Sequence, residues 1–126
     1  MKIRACGQLC LAALLFLVSV PVIAHHGPAE YDTNTQTTLK GTITDFQIMN
    51  PHSVIFFDVT DSAGNTQKWS AEALSATSLV RQGWSKTMMK PGDQVTIVGN
   101  ISKNGSHTMR LNKIVLPTGK TLAIEY

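Results

Sequence analysis

The residues best placed to do chemistry are His25 and His26, which directly follow Val22-Ile23-Ala24. Val22-x-Ala24 is the small-residue pattern that signal peptidase reads; Lys2 and Arg4 supply a basic n-region, and Leu9 to Val20 an apolar h-region. Cleavage after Ala24 makes His25 the first residue of the mature chain. Its terminal amine and ring Nδ1 can then chelate one metal ion, and a remote imidazole completes a histidine brace, a nitrogen set that copper(II) favours. The amine has a pKa near 8, far below that of a lysine, so losing its proton at neutral pH costs little. His26 offers a second route through the amine, the intervening amide and its own ring. Pro28 has no amide hydrogen, so an amide-ligated site cannot extend through it.

The remote ligand expected for this site is His52, which follows Asn50-Pro51 at a strand edge. Met49, Met88 and Met89 would suit copper(I), but methionine also fills irregular core gaps, and core filling is the expectation for all three. His107 is expected to be solvated. The plain alternative is that the histidine pair is a polar, flexible start and that the barrel described below binds a small ligand, glycan, peptide or protein partner. Trp69 and Trp84 are candidate stacking platforms for such a ligand, although Trp69 shares a strand face with Ala71 and Ala73 and Trp84 follows a helix stop, positions that favour core use.

Composition limits the function classes. Both cysteines, Cys6 and Cys10, precede the cleavage site, so the mature chain can form no disulfide. Leu9 before Cys10 and the apolar run after it do not fit a lipidation site. Without Lys2 and Arg4, nine basic residues face eight acidic ones, which lacks the basic stripe of a nucleic-acid reader. Beyond the h-region no apolar run reaches the roughly 20 residues of a membrane span. No Gly-rich phosphate loop, cysteine nucleophile or serine motif is present, and Asp58 and Glu72 have no evident partner, so a non-catalytic binding role is expected.

The elements that must position these residues begin after a polar arm. Residues 1–24 read as the signal peptide, 25–38 as an extended N-terminal arm and 39–126 as one domain. A long first strand over 39–48 changes apolar phase between Ile43 and Phe46, which predicts a bulge, and Gly41 predicts a bend or close approach. Strands follow over 54–59 and 67–73. Ser75 caps a helix over 76–82 with Leu79 and Val80 inward, and Gly83 stops it. A turn at Lys90-Pro91-Gly92-Asp93 leads to strands over 94–102, 107–116 and 121–124, the first two joined through Asn104-Gly105. Three strands, a short helix, then two strands is the order of an OB-fold, a Greek-key barrel, here of five to six strands; an antiparallel sandwich with one crossover helix is the alternative.

His25-His26, Leu39-Lys40-Gly41-Thr42-Ile43-Thr44, Asn50-Pro51-His52, Arg81-x-Gly83-Trp84 and Lys90-Pro91-Gly92-Asp93 together resemble an uncharacterised family of small exported bacterial proteins. The likeness spans essentially the whole mature chain. It implies an exported β-barrel domain in the periplasm of a Gram-negative bacterium and brings no activity with it.

Overall fold

The computed structural model describes residues 28–126; His25 and His26 lie outside the described residues. Six strands follow in chain order, β1 (Thr37–Gln47), β2 (Val54–Thr60), β3 (Thr66–Glu72), β4 (Gln94–Ile101), β5 (Thr108–Val115) and β6 (Thr121–Ala123), with the helix α1 (Ala76–Arg81) between β3 and β4. The sheet order is β3-β2-β1-β4-β5-β6, and a further parallel pairing of β3 with β5 closes the first five strands into a barrel. This is the OB-like arrangement, with β6 as an extra strand on the far half of β5.

β1 is long because it serves both sides of the barrel. Thr37 to Thr42 pair with β4, and Thr42 to Gln47 pair with β2, with the register shifting between Ile43 and Asp45. The predicted bulge is therefore real, and it lies just past Thr42, where the strand passes from one partner to the other. A Cβ on Gly41 would lie 2.7 Å from Phe57 Cδ2 and 2.9 Å from the Asp58 carbonyl oxygen, so only glycine lets the two strands approach so closely there.

Alternate residues fill the interior. Ile43, Ile55, Phe57, Ala71, Ile97, Met109, Leu111 and Ile114 are buried, and Leu79 from α1, Trp84 and Met89 join the same cluster. Ser75 caps α1 as expected, its Oγ accepting a hydrogen bond from the Ser78 N–H at 3.3 Å, and Gly83 takes the left-handed conformation at φ 83°. Two side chains depart from expectation. Val80 is 61% exposed, because the six-residue helix turns only one narrow face, that of Leu79, toward the barrel. Met49 is 45% exposed because it sits in the β1–β2 loop outside the core. No described helix is long and apolar enough to cross a membrane.

The segment before β1 is docked on the barrel. Pro28–Glu30 form a single 3-10 turn, Tyr31 makes a bridge to Ser102, and the Asp32 N–H donates to the Ile101 carbonyl at 2.9 Å. Buried Asn100 holds it from beneath: its Nδ2 donates to the carbonyls of Asp32 and Thr35, both at 2.9 Å, while its Oδ1 accepts from Asn112 Nδ2 at 2.8 Å. Three partners satisfy a polar group that would be costly to bury alone.

Candidate functional site

The parallel pairing that closes the barrel also builds a cavity on its outer side. Inward residues Ala71 and Met109 alternate with outward Glu72 and Arg110, and the register places Glu72 opposite Arg110. Tyr31 from the docked segment, His52 from the β1–β2 loop and Tyr126 from the chain end surround this pair, with Ala73 and Leu74 completing the lining. The enclosed space is about 130 Å³.

Each wall is held by its own local contacts. In the β1–β2 loop, Asn50 Oδ1 accepts from the Ala76 N–H at 3.1 Å and the Met49 carbonyl accepts from the same N–H at 3.0 Å, which ties the loop to the start of α1. Ser53 is fully buried; its N–H donates to the Leu74 carbonyl at 2.9 Å and its carbonyl accepts from the Ala73 N–H at 2.8 Å. The Asn50-Pro51 peptide is cis. His52 is thus exposed on a loop that is anchored on both sides of it.

On the opposite wall, the Arg110 guanidinium lies 3.6 Å from the centroid of the Tyr126 ring, a cation–π stack. The Tyr126 hydroxyl donates to the Leu111 carbonyl at 2.6 Å, which fixes the ring under the guanidinium. Arg110 forms no ion pair among the described residues, even though Glu72 is its neighbour on the adjacent strand. Glu72 bears instead on Tyr31, which lines the same cavity. Burial first, then the hydrogen bond and negative charge of Glu72, hold the Tyr31 hydroxyl well above its ordinary pKa. Burial likewise raises that of Tyr126, against the opposing charge of Arg110. Both phenols are therefore neutral at neutral pH and available as hydrogen-bonding groups.

Of the sequence-predicted ligands, His52 lines this cavity, and His25 and His26 lie outside the described residues. Among the described residues no three His, Cys, Asp or Glu side chains gather closely enough to hold a metal ion. Glu72, expected as a solvated strand residue, is half-buried and lines the cavity. His107 is exposed yet stacks on Trp69 at 4.8 Å between ring centroids and 17° between planes; Phe57 lies 6.4 Å from the same indole. Trp69 is consequently flanked by two rings rather than free as a platform, and its Nε1 is buried without a hydrogen-bond partner among the described residues. Trp84 is buried and packs against Phe46 at 6.4 Å.

Sequence reasoning missed Tyr31, Arg110 and Tyr126. One signal was present: Tyr31 is the only aromatic residue of the otherwise polar stretch from Gly27 to Thr38, and a lone aromatic there must find apolar surface to cover.

No curated protein matches the chain. Similar solved structures are TiaS in complex with an isoleucine tRNA and ATP, 22% identical, covering 64% of this chain and 18% of that one with a TM-score of 0.43, and apo TiaS, a tRNA agmatidine synthetase, 24% identical with the same coverage and TM-score. A tRNA fluorescent labeling enzyme, 22% identical, matches 64% of this chain and 17% of its own length at a TM-score of 0.43. The chain spans less than a fifth of the length of these proteins. Residues 13–111 match the model of a family described as a family of unknown function, DUF6152, and with most of its length matched, the chain belongs to that family.

Proposed function

We propose that this protein is an exported, non-catalytic binding barrel that holds a small polar ligand in the cavity on its closing seam. The observation that carries this reading is convergence. Tyr31, His52, Glu72, Arg110 and Tyr126 come from separate parts of the chain and meet around one space whose remaining lining is Ala73 and Leu74. A concave site with an apolar floor and a few directed polar groups is the common form of a small-molecule site. Export rests on the basic, apolar and Val22-x-Ala24 pattern of the first 24 residues, and a periplasmic destination follows from it. The reading is tested by recording amide NMR spectra of the purified protein against a panel of sugars, amines, organic acids and amino acids. Saturable shifts confined to residues 31, 52, 72–74, 110 and 126 support it; shifts confined to other faces, or none, count against it.

A second reading has its own observation. Tyr31 lies six residues beyond His25 and lines the same cavity as His52, and with Pro28–Glu30 in a 3-10 turn those six residues still reach up to roughly 15 Å. Copper captured by the mature amine, His25 and His26 thus has His52 within range as a remote ligand. Copper(II) titration followed by electron paramagnetic resonance tests this: an extra residue before His25 should abolish the wild-type spectrum and His52→Ala should alter it. Identical spectra from all three proteins would make the histidines incidental.

A further inference from the structure

We propose that the ligand of the seam cavity is a small zwitterion of the amino-acid type, its carboxylate held by Arg110 and its ammonium group by Glu72. This inference rests on the reading of the cavity as a small-molecule site and assigns it a chemical class.

Arg110 is prepared for a carboxylate. Its guanidinium is planar and presents donors along its edges, and the Tyr126 ring covers one face at 3.6 Å, leaving those edges as its means of binding. The ring is in turn held by its hydroxyl bond to the Leu111 carbonyl, so the fork is ordered before any ligand arrives. Ordering a long side chain in advance removes part of the entropy that binding would otherwise cost. Among the described residues no carboxylate is close enough to pair with it. A half-buried arginine that lines a cavity and has no acidic partner among the described residues is a site for an external anion, and a bidentate carboxylate fits its fork best.

Glu72 determines what else the ligand must carry. It is the register neighbour of Arg110 and lines the same space. Its charge opposes a multiply charged anion such as phosphate, which would meet one cation and one carboxylate at similar range. A molecule with a carboxylate and an ammonium group separated by a short carbon skeleton satisfies both. Tyr31 and Glu72 line the same cavity, so the phenol adds a neutral hydrogen-bonding group beside that carboxylate. The space of about 130 Å³ limits the ligand to a small molecule, and Ala73 and Leu74 offer apolar contact to a short side chain.

The test is a titration of the purified protein, followed by amide NMR, with each of the common amino acids, with acetate, with methylamine and with inorganic phosphate. At least one amino acid should give saturable shifts at residues 31, 72–74, 110 and 126 below about 10 mM, while acetate and methylamine bind at least about tenfold more weakly and phosphate not at all. Arg110→Lys keeps the charge and removes the fork, and should weaken that amino acid by about tenfold or more. Glu72→Gln should weaken the amino acid but leave acetate unchanged, a split that loss of structure would not produce. Circular dichroism and melting temperature check that both variants fold. If no amino acid binds, or if phosphate binds more tightly than any of them, the zwitterion proposal is overturned. Binding of some other metabolite at the same residues would overturn it while leaving the cavity as a ligand site; no cavity shift with any compound would overturn both.

Discussion

Glu72 on β3 and Arg110 on β5 are neighbours across the parallel pairing that closes the barrel, yet they do not form an ion pair: Arg110 stacks on Tyr126, and Glu72 shares the cavity lining with Tyr31. A tyrosine accompanies each charge at the seam, and the space around both is a cavity rather than a packed contact.

The docking of the segment before β1 depends on Asn100. Asn100→Ala leaves the Asp32 and Thr35 carbonyls and the Asn112 amide without their partner, and we expect a loss of about 2–4 kcal/mol, the range for unpairing several part-buried polar groups. Urea denaturation measures the loss, and limited proteolysis should show faster cleavage near residues 31–36. Unchanged stability together with unchanged cleavage would contradict the role assigned to this side chain.

Two glycines are required by close approach rather than by a turn. A Cβ on Gly99 would collide with the backbone carbonyl oxygen of Arg110, whereas one on Gly41 meets the Phe57 ring at 2.7 Å and the Asp58 carbonyl oxygen at 2.9 Å, a smaller overlap. The deeper overlap with backbone needs the larger strand shift, so Gly99→Ala should be the more destabilising, at about 3 kcal/mol or more against about 1–3 for Gly41→Ala. Denaturation midpoints of the two variants give the order, and the reverse order would contradict it.

Acid stability should carry the signature of two loop aspartates. The Lys90 side chain, Nζ to Oδ1 2.7 Å, is the main cause that lowers the Asp93 pKa, followed by the Lys90 N–H at 3.0 Å. The Asn65 side chain at 3.1 Å, followed by its N–H at 2.9 Å, does the same for Asp61. A carboxyl whose folded pKa is depressed contributes stability above its unfolded value, and that contribution disappears as pH falls through the folded value. The melting temperature should therefore fall from about pH 4 downward, and Asp93→Asn should make that fall shallower. An unchanged slope in the variant would show that the Lys90–Asp93 turn does not couple to folding.

The alkaline limb has the opposite origin. Tyr31 has its folded pKa raised, first by burial and then by Glu72. Its contribution is complete below the unfolded value, near 10, and is lost as pH rises through the folded value, because the unfolded chain releases the proton first. Urea midpoints should decline above about pH 10, and Tyr31→Phe should flatten the decline. A variant with the same alkaline slope as the parent would refute the link between this phenol and stability.

Much of the fold was legible because its determinants are local. The apolar phase change in β1 marked the bulge, Ser75 and Gly83 marked the ends of α1, and turn residues separated the strands in the order of an OB barrel. Val80 was misread because a short helix shows only a narrow stripe to the core, and two adjacent apolar residues do not reveal which of them lies on it.

The chain's sequence thus determined which segments form strands, where they turn and which faces are apolar, since these follow from spacing over a few residues. Tertiary structure alone decided that Glu72 and Arg110 meet, that Tyr31 and Tyr126 take up their charges, and that His52 shares their cavity. The physical reason is ring closure: β3 and β5 are distant in sequence and pair in parallel only because β1, β2 and β4 complete the circuit between them. Outward residues on such a seam obey no periodicity that distinguishes them from solvated ones.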